Sequence, residues 1–182
     1  MKYDFWTYWN SLWNDIPIWV YEVGSIVFGA GLVICLLTCG IRKGLRYGLG
    51  LLLIEYVLLV YCSTVFFRNT GKLRYDFTPF WSYFSYFRGK NDWLLAENIM
   101  NVLVLVPVGA LAGVVIRSMS WKKVLVIGMC LSVGIEVMQF VFKKGFSEVD
   151  DVMHNTLGCL IGYGLWLVVH GTWKTGKKLN IM

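Results

Sequence analysis

The chain has 182 residues; 57% are hydrophobic, 15% are charged, and the mean hydropathy is +0.60. Soluble domains carry about 25% charged residues, so this composition excludes an ordinary soluble domain, and its hydrophobicity excludes disorder. The net charge of +6, from 17 Lys and Arg against 11 Asp and Glu, reads in so apolar a chain as the basic flanks of membrane spans and not as a nucleic-acid surface.

Residues 3–16 set Phe5, Trp6, Trp9, Leu12, Trp13 and Ile16 near helical spacing, with Asp4, Thr7, Asn10, Ser11 and Asp15 between them. This predicts a short amphipathic helix within 1–17 that lies in the headgroup region. The segment has no continuous apolar stretch, so it is not expected to be a cleaved signal peptide. Pro17 interrupts it. Two transmembrane helices are expected within 18–67, at 18–41 and 47–67, with Arg42, Lys43 and Arg46 in a tight turn between them. An aromatic extracytoplasmic loop, expected to pack on the membrane surface, follows at 68–96, carrying Tyr75, Phe77, Phe80, Trp81, Tyr83, Phe84, Tyr86, Phe87 and Trp93. Span 3 is predicted at 97–116. Pro107 inside it frees the carbonyl of Leu103 and should kink the helix. Arg117, Lys122 and Lys123 form the next basic turn, span 4 covers 122–142, span 5 covers 151–170, and 171–182 is a basic tail with Lys174, Lys177 and Lys178. Five spans of about 20 residues each make this an all-α integral membrane protein and leave no room for a soluble catalytic domain.

Lys and Arg counts on the two sides nearly tie, but the turns at 42–46 and 117–123 and the tail hold no acids. Basic residues next to span ends set orientation most reliably. The N-terminus is therefore expected outside and the C-terminus inside. The five cysteines, Cys35, Cys39, Cys62, Cys130 and Cys159, all fall in apolar runs and read as small buried hydrophobes.

Polar groups inside lipid are costly and usually paired or functional. Span 3 begins with Glu97, Asn98 and Asn101, span 4 ends with Glu136, Gln139 and Lys143, and span 5 begins with Asp150, Asp151, His154 and Asn155. Antiparallel succession puts all of them, and the aromatic segment, on one side of the membrane. Gly128, Ser132, Glu136, Gln139 and Lys143 follow one helical stripe; Asp151, Asn155, Gly158 and Gly162 follow another. Gly109/Gly113 and Gly158/Gly162 form small-residue steps that allow close helix approach. Residues 97–170 are thus expected to form a three-helix core with a polar pocket near one end. Glu136 would lie deepest, roughly one and a half to two turns below the interface, and two helix N-termini would favour an anion there. Glu22 and Glu55 also fall within spans; Glu55 is placed to pair with Arg46 or with a neighbouring helix. One His among carboxylates does not make a metal set, and neither a cofactor nor a metal is expected.

The polar segments together resemble the VanZ-like family of small bacterial membrane proteins: Asn101 to Pro107 and Gly109, Glu136-Val-Met-Gln139, and Asp151-Val-Met-His-Asn155-Thr-Leu-Gly158 with Gly162 beyond, preceded by Phe77-Thr-Pro-Phe80. The match runs over about 75–165. Many members carry Arg in the turn before the Asp motif and Asp where Glu148 stands. Here Lys143 and Lys144 precede Gly145, which keeps the charge without the planar guanidinium.

The resemblance implies a role in resistance to lipid-anchored glycopeptide antibiotics of the teicoplanin class. Asn98, Asn101, Gln139, Asp150, Asn155, Lys143 and Lys144 are the candidate ligand-binding residues. The alternative is an intramembrane enzyme modifying a lipid or cell-wall precursor. Glu136 would then be the general acid/base, assisted by Asp151 and His154. No nucleophile elbow, zinc motif or P-loop accompanies them. A third expectation, a small transporter, is weakened by the lack of an inverted repeat. The expected partners are membrane lipid and either a lipoglycopeptide or a lipid-linked cell-wall precursor, with no nucleic acid.

Overall fold

The structure, a computed structural model, describes residues 5–89 and 93–179. Residues 1–4 of the expected N-terminal helix, 90–92 of the aromatic segment and 180–182 of the tail lie outside the described residues. In chain order the elements are α1 (Phe5–Asn14), α2 (Ile18–Cys39), α3 (Ile41–Tyr61, prolonged by a π-turn over Cys62–Phe66), β1 (Tyr75–Asp76), α4 (Trp81–Phe87), α5 (Leu94–Val115), α6 (Trp121–Phe142), β2 (Ser147–Glu148) and α7 (Val149–Leu179). Five helices are long and apolar enough to cross a membrane: Ile18–Cys39, Ile41–Phe66, Leu94–Val115, Trp121–Phe142 and Val149–Gly171. The protein is an all-α membrane protein with these five spans.

The turn between the first two spans is shorter than expected. Gly40 alone reverses the chain, at φ +73°, a backbone conformation glycine adopts at little cost. Helix resumes at once, so Arg42, Lys43 and Arg46 lie in the first turns of α3. Arg46 does not pair with Glu55. Its Nε donates to the carbonyl of Val115 at 2.8 Å, and Nη2 donates to the same oxygen. A cation on an unsatisfied carbonyl at the C-terminal end of α5 is favoured by both hydrogen bonding and the helix dipole. At the other end of the chain, helix persists through Leu179, well past the expected end of span 5.

Helix α7 is the centre of the bundle. It packs along α5 and less extensively on α6, while α5 and α6 barely meet. The tight α5–α7 seam follows from glycine. A Cβ on Gly158 would run into the carbonyl oxygen of Val102, one on Gly162 into that of Val106, and one on Gly109 into that of Cys159. Backbone therefore touches backbone, the close approach that small residues permit in a membrane. Gly113 differs: it makes room for the Trp166 ring. The apolar core beneath the seam includes Val60, Val65, Leu105, Val108, Ile135 and Tyr163. Helix α5 runs on through Pro107, and the hydroxyl of Tyr56 donates to the nearby carbonyl of Val104 at 2.8 Å. Helix α2 stands apart: it buries no residue and packs mainly on α3.

The aromatic segment is built and not merely laid on the surface. β1 pairs in parallel with β2, Tyr75 opposite Ser147 and Asp76 opposite Glu148. Ser147 N donates to Arg74 O at 3.1 Å and Gly71 N to Lys143 O at 3.0 Å. These bonds satisfy backbone groups that a loop near lipid must not leave bare. They also tie residues 70–76 to the α6–α7 turn.

Candidate functional site

The site lies at the end of the bundle where α3 and α6 finish and α5 and α7 begin. The α6 stripe of Gly128, Ser132, Glu136 and Gln139 is buried, as its spacing dictates. Glu136 is 6% exposed, and its Oε2 accepts the backbone N–H of Glu148 at 2.8 Å. Ser147 Oγ donates to the Glu136 carbonyl at 3.1 Å. Strand β2 thus closes over the carboxylate. On α7, Asp151 Oδ1 accepts from Asn101 Nδ2 at 2.6 Å, which joins α5 to α7. Asn155 Nδ2 donates to Ser132 Oγ at 3.0 Å, and Ser132 Oγ to the Asp151 carbonyl at 3.3 Å, which joins α6 to α7.

Asp150 points to the aromatic segment. Its Oδ1 accepts from Phe80 N at 2.6 Å, and its Oδ2 accepts from Ser82 N at 3.1 Å and Ser82 Oγ at 2.6 Å. It therefore serves the N-terminus of α4, where Phe80 holds the left-handed φ of 64°. Asn98 Nδ2 extends this chain to Ser82 Oγ at 3.2 Å. Expected as a group facing a ligand, Asp150 here has both oxygens engaged in holding α4 down.

His154 shares this face and not the one with Glu136. Its Nε2 lies 2.8 Å from the Tyr83 hydroxyl, and its buried Nδ1 has no hydrogen-bond partner. Burial, with the nearby Asp150 charge, pushes the Tyr83 hydroxyl above its usual value. Gln139 donates through Nε2 to Thr64 O at 3.1 Å, which ties α6 to the π-turn, and its Oε1 is buried without a partner. Lys143 takes the left-handed cap of α6 at φ 55°, and the residue is exposed. Lys144 Nζ donates to the Arg68 carbonyl at 2.6 Å. Among the described residues neither lysine, both expected to bind a ligand, is hydrogen-bonded to the site carboxylates.

The cation near the acids is Arg68, just beyond the π-turn. Its charge acts on both Glu136 and Asp151. The guanidinium lies flat against Gly145: a Cβ there would stand 2.5 Å from Cζ and 2.7 Å from Nε. Gly145 also holds φ +78°, the left-handed backbone that favours glycine. The planar guanidinium that the α6–α7 turn lacks is supplied from the segment that follows the π-turn.

Glu148 completes the group. It is 3% exposed, and its Oε2 accepts the Trp81 indole N–H at 2.9 Å. Burial, aided by the charges of Glu97, Glu136 and Asp150, raises its carboxyl to about 8, with the Trp81 hydrogen bond opposing. A carboxyl held near neutrality can donate a proton or accept one. Glu136, Ser147 and Glu148 reach a cleft of about 250 Å³ whose other walls are Phe77, Val133, Val137, Phe140, Val149 and Val152. The cleft opens on the lipid-facing side of α6, where Val133, Val137 and Phe140 are exposed.

The VanZ/LLP1 family profile matches residues 51–170. The chain belongs to the VanZ/LLP1 family. It is 25% identical over 122 residues to Protein VanZ of Enterococcus faecium, covering 65% of this chain and 76% of that protein. No solved structure matches. The VanZ/LLP1 region contains all the site residues above and leaves out α1 and α2.

Within the VanZ/LLP1 region the structure joins Asn101 to Asp151, Asn155 to Ser132, and Glu136 to Glu148. It also brings in residues that periodicity could not find: Arg68, Trp81, Ser82, Tyr83 and Glu148. Glu148 and Arg68 lie outside any helical stripe, in the turn and just past the π-turn. A signal for Glu148 was available in its place two residues before Asp150, in a turn with no lipid to face. Arg68 had none, because its role depends on how the chain returns to Gly145.

Proposed function

We propose that this VanZ/LLP1 protein contributes to resistance against membrane-anchored glycopeptides of the teicoplanin class by binding the polar part of such a molecule at the outer leaflet. The observation that carries the reading is the cleft beside α6. Two carboxyl groups, Glu136 and Glu148, lie at the polar end of an otherwise apolar slot open to the bilayer. A glycopeptide carries sugar hydroxyls and amide N–H groups, which carboxyl oxygens accept, while its lipid anchor keeps it at this depth. Membrane lipid is the resident partner that the ligand would displace. The reading places the site end of the bundle outside, with the C-terminus inside. The basic residues at the opposite end, Arg42, Lys43, Arg46, Arg117, Lys122 and Lys123, support that orientation.

The test is teicoplanin susceptibility of cells that carry wild-type, Glu136→Gln or Glu148→Gln protein at equal membrane abundance. Loss of protection in both variants is expected; unchanged protection in both overturns the site. Antibody access to a tag at the C-terminus, before and after permeabilisation, tests the orientation.

A second reading is favoured by one observation: the Glu148 carboxyl lies near neutrality, the range in which general acid–base groups work best. On this reading the same cleft holds a lipid or cell-wall precursor and Glu136 and Glu148 exchange a proton with it. Comparison of lipid extracts from cells with and without the protein separates the two, since only the enzyme adds or removes a headgroup species.

A further inference from the structure

Helices α2 and α3 pack against each other as a hairpin. At the Gly44 end they touch through backbone: a Cβ on Gly44 would stand 2.8 Å from both Cys35 O and Leu36 Cα. Towards the site end a slot of about 560 Å³ is lined by Trp19, Val23, Phe28, Ile54, Glu55 and Phe66 among others. Trp19 meets Phe67 edge-on at 6.3 Å at the rim. The lining is apolar apart from one charged side chain, and it includes no Lys or Arg. That side chain is Glu55, near the middle of the 26-residue span Ile41–Phe66.

Glu55 is half-buried and, among the described residues, meets no hydrogen-bond donor and no cation. Its Oε1 lies over the Cα of Gly24, where a β-carbon would collide with it. Arg46, the nearest basic residue along α3, is committed to Val115. A carboxylate at membrane depth requires a partner. Among the described residues the fold supplies none, yet it holds the group at the wall of an aromatic-lined cavity. Aromatic faces and a carboxylate together recognise a cation on an apolar body.

We propose that the α2–α3 slot binds lipophilic cations, such as an amine or onium centre carried on hydrocarbon or aromatic groups, with Glu55 as the counter-charge. The site is separate from the Glu136 cleft, and neither residue set overlaps the other. Gly24 sets the width of the slot, and α2, which buries no residue of its own, can adjust to the ligand.

The test uses the full chain in nanodiscs with tetraphenylphosphonium as probe and tetraphenylborate as its isosteric anion, both followed by equilibrium dialysis against empty nanodiscs. Saturable binding of the phosphonium is expected, weakened about tenfold or more by Glu55→Gln and partly kept by Glu55→Asp. Gly24→Leu, which fills the slot from the peripheral helix and pushes the Glu55 carboxylate aside, should also abolish it. Glu136→Gln should leave it unchanged. No saturable binding to wild type, equal binding to Glu55→Gln, or equal saturable binding of tetraphenylborate each overturns the proposal. Equal binding by Gly24→Leu overturns the location.

Discussion

Glu136 accepts the backbone N–H of Glu148 at 2.8 Å, so one acid of the site holds the segment that carries the other. Both residues are buried. The bond orients β2, and β2 in turn carries β1 and the aromatic segment through the Tyr75–Ser147 and Asp76–Glu148 pairs. Positioning of the site and stability of the fold are therefore coupled at this point.

Glu136→Ala is expected to destabilise the protein by about 1–3 kcal/mol, the cost of leaving a buried N–H without an acceptor. Glu136→Gln keeps an amide oxygen at the same place and should recover most of that loss. Thermal unfolding of the purified variants in one detergent measures the difference. Equal stability of the Ala and Gln variants would show that the Glu148 N–H finds another acceptor.

The Glu148 carboxyl titrates at about 8 when folded against an ordinary 4.5. The folded state thus holds its proton more tightly than the unfolded chain does. Its contribution to stability is fully present below about pH 4.5 and is lost as pH rises through about 8. Unfolding midpoints measured from pH 5 to 9 should fall with pH over this window. Glu148→Gln, neutral throughout, should flatten that fall; an unchanged slope would assign it to other groups.

Asp150→Ala removes the acceptor of three hydrogen bonds from Phe80 and Ser82. Hydrogen bonds to a charged group are worth about 1.5–3 kcal/mol each, and the expected net loss is on the order of 3 kcal/mol. The effect should be local first. Amide exchange at Trp81–Phe87 should accelerate, while exchange in α6 stays slow. Uniform acceleration across the bundle would mean that α4 and the spans unfold as one unit.

Gly158→Ala puts a methyl group onto the Val102 carbonyl and must separate α5 from α7. A loss of about 1–3 kcal/mol is expected from overpacking. Gly29→Ala is the matched control, because nothing lies within 4 Å of its β-carbon position; it should be neutral or slightly stabilising through helix propensity. Equal losses in both variants would point to the glycine backbone and not to the seam.

The sequence by itself determined the spans, the buried stripes and the α5–α7 seam. Hydrophobic length sets a span, since the bilayer has one thickness. Helical period sets which residues share a face, so Ser132, Glu136 and Gln139 were readable as one line, and Gly158 and Gly162 as a close contact. Only the tertiary structure decided which acids meet which partners. Arg68, Trp81 and Glu148 come from turns and from a segment without period, and their places follow from where the chain returns after a π-turn and a left-handed cap. The same holds for Glu55, legible as an acid in a span but not as one that meets no cation among the described residues, because that depends on what lines the α2–α3 slot and on Arg46 being held by Val115. Local periodicity records what one helix presents; it does not record what the neighbouring element offers in return.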